Sequence, residues 1–333
     1  MINAAVAGLG WWGKVLAREL SRSGRFKVIR LVDLRPDAGA QITEPPDAAF
    51  STKFEDVLND TRVQAVFLAT PHTEHDAQIN AVSRAGKHVF SEKPLSLTLA
   101  GAKASVDACK KAGVVLGIGH ERRFEPPMIE MMRLAKSGAL GTLLQVETNF
   151  SHDKFLALAK DNWRLSPAQA PAGGMTATGI HLLDLAVEIL GPATEVLARS
   201  ATLASSFPSG DSVSALISHA SGATSTINVM MVTPFTSHFR VYGSHGWVEV
   251  KDKAHLEAPE GWLFTHCRRG EHPVVREFPV ATPVRENLVA FADAIEGRAP
   301  YPISSEAMLN TIGALEAVFR SAATGAIIRA SIR

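Results

Sequence analysis

The start of the chain constrains it most. The apolar run Ala4-Ala5-Val6-Ala7 leads straight into Gly8-Leu9-Gly10-Trp11-Trp12-Gly13, and Leu31-Val32-Asp33 ends twenty residues after the last glycine. A Gly-x-Gly-x-x-Gly on its own is weak, because glycines collect in turns of many kinds. Here an apolar strand precedes it, a helical pattern follows it (Trp12, Leu16, Leu20), and an acidic residue closes the next apolar strand. Together these form the fingerprint of a dinucleotide-binding βαβ unit. Gly8 permits the tight turn, Gly10 lets the backbone approach a pyrophosphate, and Gly13 lets the helix close on the strand. The pyrophosphate is expected at the helix N-terminus, where free N–H groups and the helix dipole favour an anion.

Asp33 argues for NAD over NADP, because a carboxylate accepts hydrogen bonds from ribose hydroxyls and repels a 2′-phosphate. Arg35, two residues on, either softens that preference by neutralising the carboxylate or is a solvated loop residue. Trp11 and Trp12 lie inside the phosphate turn. One is expected in the core, the other as a wall of the nicotinamide or substrate pocket.

At 333 residues the chain suits two domains better than one core. Its 46% hydrophobic and 20% charged residues are those of a soluble globular protein. Lys plus Arg number 34 and Asp plus Glu 33, so nothing points to nucleic acid or an anionic membrane surface as partner. No apolar run reaches the ~18 residues of a transmembrane helix. The N-terminus shows neither the basic region nor the cleavage site of a signal peptide. Cys109 and Cys267 lie far apart and are expected as reduced thiols in a cytoplasmic protein.

Strand and helix patterns alternate over the first ~120 residues. Strands are expected at Ala4 to Leu9, Val28 to Asp33, Ala65 to Ala69, His88 to Ser91 and Val115 to Gly119. Helices are expected at Trp12 to Ser23, Glu55 to Asn59, Ala77 to Ala85 and Leu99 to Ala112. Such alternation builds a doubly wound parallel sheet of the Rossmann type, an α/β domain over 1–120. From about Thr142 strands follow strands, from Leu143 to Ser151 through Trp247 to Lys251, with glycine turns between several of them. That predicts an α+β domain over 121–333 with a large, mostly antiparallel sheet. In its first strand Leu144, Val146, Thr148, Phe150 and His152 share the face expected to be buried. Two helices close the chain and are placed to pack back on the first domain. One begins at Pro283, the other near Ser304 with Met308, Ile312, Leu315 and Phe319 as a core stripe.

Two segments sit at strand ends of the first domain: Thr70-Pro71-His72-Thr73-Glu74-His75 and Ser91-Glu92-Lys93-Pro94. Ligands of open α/β sheets bind outside the carboxyl ends of the strands, so Thr70, Pro71, His72, His75, Glu92, Lys93 and Pro94 are expected at the cofactor crevice. Oxidising an alcohol requires a base, and a lysine whose pKa is lowered from ~10.4 meets that need. A later segment, Gly173-Gly174-Met175-Thr176-Ala177-Thr178-Gly179-Ile180-His181-Leu182-Leu183-Asp184, puts His181 and Asp184 on one face if it opens a helix.

Gly-x-Gly-x-x-Gly, Thr-Pro-x-x-x-His, Glu-Lys-Pro and Gly-x-His-x-x-Asp occur here in that order, and the set resembles the glucose–fructose oxidoreductase and inositol dehydrogenase (Gfo/Idh/MocA) family over essentially the whole chain. The resemblance implies a Rossmann domain followed by a domain whose open sheet forms the interface of homodimers or homotetramers. It also implies hydride transfer between nicotinamide and a CH–OH carbon of a hydroxylated small molecule, often a sugar or polyol. Lys93 would be the general acid–base, preceding a cis bond to Pro94, with His181 sharing that work or reaching the substrate hydroxyl. His75 would position its loop.

One position departs from the family. Many members carry an aspartate four residues before the histidine, and here that position is Ala177. Thr176 or Thr178 is then expected to supply a neutral hydrogen bond, or His152, Asp153 and Arg164 to enter from nearby; Asp184 is a further substrate contact. No metal is expected. His181 and Asp184 have ligand spacing, but no dense cluster supports a site. Two other readings stand beside the polyol oxidoreductase: a dihydrodiol dehydrogenase-like enzyme, suited by Met175 and Ala177, and a dinucleotide-binding sensor without turnover.

Overall fold

A computed structural model describes residues 1–39, 42, 45 and 47–330. The chain divides into two compact units. The first holds residues 1–121 and 283–309, the second residues 122–282 and 310–333. The C-terminal return, Pro283 to Leu309, is thus part of the first unit.

The first unit opens with β1 (Ile2–Ala7), α1 (Trp11–Arg22), β2 (Phe26–Val32), β3 (Ala49–Ser51), α2 (Glu55–Asn59) and β4 (Ala65–Leu68). It continues with α3 (His75–Arg84), β5 (His88–Ser91), α4 (Leu99–Ala112) and β6 (Leu116–Ile118). The six strands form one parallel sheet in the order β3-β2-β1-β4-β5-β6. The order reverses between β1 and β4, and that switch point opens the crevice in which such sheets hold ligands. The expected strands and helices of this unit are all present; α4 is capped by Thr98, which the sequence reading did not single out and whose Oγ1 accepts the Gly101 N–H at 3.1 Å. Strand β3 was not expected; it is three residues long and carries no alternating pattern.

The second unit contains α5 (Pro126–Lys136), β7 (Leu143–Ser151), α6 (Gly179–Leu190), β8 (Ala193–Ala201), β9 (Ser212–His219) and β10 (Thr224–Met230). Then come β11 (Thr236–Gly243), β12 (Gly246–Asp252), β13 (Trp262–Arg268) and β14 (Val274–Phe278). The chain ends with α7 (Pro283–Ile295), α8 (Ser305–Thr324) and β15 (Ile328–Arg329). The sheet runs β14-β13-β12-β11-β7-β10-β9-β8-β15 and is antiparallel except where β7 meets β10. Val146, Thr148 and Phe150 are buried with Ile227, Val229 and Phe239, whereas Leu144 is 52% exposed at the strand's start. Strands β13 and β14 escaped the sequence reading; β14 is almost wholly exposed, so no burial pattern marks it.

Helix α7 completes the first unit's core. Phe291 packs edge-on against Phe67 and Phe90 at 5.7 and 5.4 Å. The Ile118 carbonyl on edge strand β6 accepts from Asn287 Nδ2 at 2.9 Å and from the Tyr301 hydroxyl at 3.0 Å, which blunts that edge. In α8, Met308, Ile312 and Leu315 are buried as expected, while Phe319 is only half-buried and Val318 takes the core position.

Candidate active site

The glycine turn has the shape its sequence requires. Gly8 adopts φ +87°, and a Cβ there would come within 2.6 Å of the Ala69 backbone. A Cβ on Gly13 would collide with the Gly8 carbonyl, so the helix start lies directly on the strand end. Nothing lies within 4 Å of the space a Gly10 Cβ would fill. Helix α1 begins there with no side-chain cap and no acidic residue in its first turn. Its N–H groups are therefore available to an anion, and the residues present fit a dinucleotide pyrophosphate. Trp11 is 56% exposed and Trp12 half-buried against the core cluster.

Asp33 follows β2 and reaches back to this turn. Its Oδ2 accepts the Leu9 N–H at 2.7 Å, and its Oδ1 accepts from the Arg35 amide and Nε at 2.9 and 3.0 Å. Burial alone would raise the Asp33 pKa; these bonds outweigh it and hold the carboxyl below its ordinary value. Arg35 is thus fixed on Asp33 with its side chain 60% exposed.

The loops after β4 and β5 are joined by one imidazole. His75 is fully buried, with Nδ1 2.7 Å from the Pro94 carbonyl and Nε2 3.1 Å from that of Thr70. Whichever nitrogen carries the proton donates to one of the two loops. Burial pushes the His75 pKa down. His72 is buried one turn earlier. The Lys93-Pro94 bond is cis. Lys93 is half-buried, and its N–H donates to Glu92 Oε2 at 3.3 Å.

On the second unit, α6 is buried over ten of its twelve residues, as a helix apolar on every side must be. His181 lies in its first turn, 4% exposed. Asp184 is bound instead to the protein. Arg123 donates to its two oxygens at 2.6 and 2.8 Å, and the Thr311 hydroxyl adds a bond at 3.1 Å. Arg123 also donates to Glu188 at 2.6 Å, and Lys136 pairs with that same carboxylate. Thr178 Oγ1 donates to the Phe150 carbonyl at 3.0 Å. Both side chains, expected at the substrate, also anchor α6 within the second unit. Sequence reading missed Arg123, whose only signal is its place in the basic pair after β6. Among the described residues no group of three or more His, Cys, Asp or Glu is arranged to hold a metal ion.

His152 directly follows β7, within an aromatic group that the sequence did not reveal. Its ring lies 5.6 Å from Phe155 and 5.1 Å from His255, and Phe235 lies 5.6 Å from His255. Burial, then the neighbouring His255, pushes the His152 pKa down to about 4. A histidine unfolds to a pKa of ~6.5, so its neutral burial favours the fold above that pH and ceases to do so as pH falls toward 4. Acidification across this window is expected to cost up to about 3 kcal/mol, and His152→Gln to flatten the dependence in melting curves against pH. An unchanged slope in that variant would refute the assignment.

Arg164 sits on a short 3₁₀ turn, Trp163–Leu165, with its guanidinium 4.3 Å above the Trp163 ring. Burial lowers its pKa, and it makes no ion pair among the described residues. Ala177 is half-buried in the turn that precedes α6.

Comparison with known proteins agrees with this geometry. Residues 2–120 match the model of the oxidoreductase family with an NAD-binding Rossmann fold, and residues 128–249 match the Gfo/Idh/MocA C-terminal domain. A D-xylose 1-dehydrogenase (NADP(+)) of Haloferax volcanii is 27% identical over 97% of both chains. A 1,5-anhydro-D-fructose reductase of Ensifer adhaerens is 27% identical over 94% of this chain and 96% of its own. The crystal structure of an aldose-aldose oxidoreductase from Caulobacter crescentus superposes with a TM-score of 0.85 at 26% identity, covering 98% of this chain and 99% of that one. With both halves matched and the glycine turn, Glu-Lys-Pro loop and α6 histidine in order, the chain belongs to the Gfo/Idh/MocA family of oxidoreductases.

Proposed function

We propose that this protein is an NAD(P)-dependent oxidoreductase that transfers hydride between nicotinamide and a CH–OH or C=O carbon of a sugar, polyol or cyclic diol. The observation that carries the reading is the pairing of an open glycine cradle with a lysine-bearing loop at the carboxyl end of the neighbouring strands. The bound nicotinamide supplies the hydride acceptor or donor. Lys93 takes the hydroxyl proton in oxidation and returns it in reduction. His75 positions the Lys93 loop through Pro94, and His181 is the second acid–base group. His152 and Arg164 contact substrate; a guanidinium stacked on an indole, with no ion pair among the described residues, has donors to give to hydroxyls.

Asp33 favours NAD, and Arg35 limits that preference by neutralising it. The Haloferax relative is named for NADP, whereas the solved structure of GenD2 from gentamicin A biosynthesis is a complex with NAD. The reading extends to a homodimer or homotetramer through the half-exposed sheet face, where Tyr242 donates to Glu147 at 2.8 Å and Arg240 lies 5.3 Å from the Trp247 ring. It also extends to a cytoplasmic location, in keeping with two free cysteines. Among the described residues no helix is long and apolar enough to cross a membrane.

Ala177 favours one second reading, a cofactor-binding sensor without turnover. Nicotinamide absorbance at steady state, over sugars, inositols and cyclic diols with both cofactors, separates the two. Turnover is expected with NAD ahead of NADP, and Arg35→Ala is expected to widen that ratio by about tenfold, the effect of ~1.4 kcal/mol. Tight NADH binding with no turnover anywhere on the panel would overturn the enzyme reading.

A further inference from the structure

Two consecutive residues of α3 reach the loop that carries Lys93. His75 Nδ1 meets the Pro94 carbonyl, and the next residue, Asp76, accepts from the Ser96 hydroxyl at 3.0 Å through Oδ2. Ser96 is 1% exposed, and its oxygen also accepts the Thr98 N–H at 3.1 Å. The chain from Lys93 to the start of α4 is thus held at Pro94, Ser96 and Thr98. Just before it, the Glu92 N–H donates to the Leu68 carbonyl at 2.8 Å.

The Asp76 carboxyl occupies its place at a cost in stability. It lies against Gly101 in the first turn of α4, where any Cβ would stand 2.1 Å from Oδ2 and 2.6 Å from the Ser96 oxygen. Glycine disfavours a helix relative to alanine. The second oxygen, Oδ1, is buried and meets no donor among the described residues, which is unfavourable again. Burial accordingly raises the Asp76 pKa, and the Ser96 bond offsets only part of that rise. Apolar groups of the same shape would be at least as stable here. What the aspartate and the glycine secure together is the place of one hydroxyl in the lysine loop. We propose that Asp76 is a positioning residue: it fixes Ser96, and through that loop the Lys93 side chain during proton transfer, with Gly101 as the clearance that admits its carboxyl.

The tether stands without the oxidoreductase reading; its effect on Lys93 rests on that reading. Hydrogen exchange of the whole protein, followed by mass spectrometry on peptides spanning 91–98, tests the tether. Exchange there is expected to quicken about tenfold in Asp76→Ala, as the loss of one hydrogen bond allows, and to stay as in wild type over β2. Gly101→Ala is expected to quicken the same peptides by displacing the carboxyl, while α4 itself, gaining an alanine, is no less protected. A general loosening of the unit would not spare α4. Asp76→Asn keeps an acceptor for the Ser96 hydroxyl and is expected to restore wild-type exchange. Unchanged exchange over 91–98 in either alanine variant, or no recovery in Asp76→Asn, overturns the tether. For the second half, Asp76→Ala is expected to lower kcat about tenfold with the KM for the nicotinamide cofactor within about twofold, and Asp76→Asn to recover it. In a Lys93→Ala background Asp76→Ala is expected to lower turnover no further, because the side chain it positions is gone. A further loss in that background, or a full kcat in Asp76→Ala, overturns the positioning role even where the exchange result holds. If no alcohol is oxidised, exchange still decides the tether, so the two failures are distinguishable.

Discussion

Lys93→Ala is expected to lower turnover by about 10²–10⁴-fold, the range a positioned acid–base group contributes. NADH affinity is expected to stay within about twofold, because the groups proposed to hold the dinucleotide lie elsewhere. Gly8, Gly10 and Gly13 shape the phosphate turn, and Asp33 is tied to Leu9 and Arg35, not to the lysine. Loss is expected in kcat and kcat/KM together, as for an interaction made in the transition state alone. Stopped-flow NADH fluorescence and steady-state absorbance on the same preparation check both halves. Turnover equal to wild type would remove Lys93 from the chemistry; loss of cofactor binding alone would make it a cofactor ligand.

Arg123→Met is expected to destabilise the second unit by about 3–5 kcal/mol, the range found when one partner of a buried ion pair is removed. Asp184 is 1% exposed and would keep only the Thr311 hydroxyl among the partners described above. Glu188 would retain Lys136. Exchanging both residues for apolar ones, Arg123→Met with Asp184→Leu, is expected to recover most of the loss, because no charge is then stranded. Calorimetry is the suitable measurement, since a two-unit chain need not unfold in one step. A variant as stable as wild type would show that Asp184 is not anchored by Arg123.

The elements whose cause is local were legible. The helical pattern from Leu99 to Ala112 is α4, Pro283 opens α7, and the alternation Val146, Thr148, Phe150 marks the buried face of β7. Elements whose cause is remote were not. Strand β14 is exposed along its length and exists because β13 offers it an edge. His255 joins His152 from a segment more than a hundred residues away, with no motif to announce it. The same division runs through the site. Lys93 and His181 stand in motifs, whereas Arg123, the partner of Asp184, does not.

The sequence by itself determined the glycine turn, the acid at the end of β2 and the lysine after β5. Each depends on sterics and spacing within a few residues of one strand end, and such constraints are written in order along the chain. Only the tertiary structure decided which charged groups remain for chemistry. Arg123 takes Asp184 from 61 residues away, and the registry of β5 with β6 sets Gly119 against the Glu92 carboxyl. The physical reason is that a buried charge is governed by whichever group the fold brings within reach of it. That distance is a property of the packed sheet, not of the spacing along the chain.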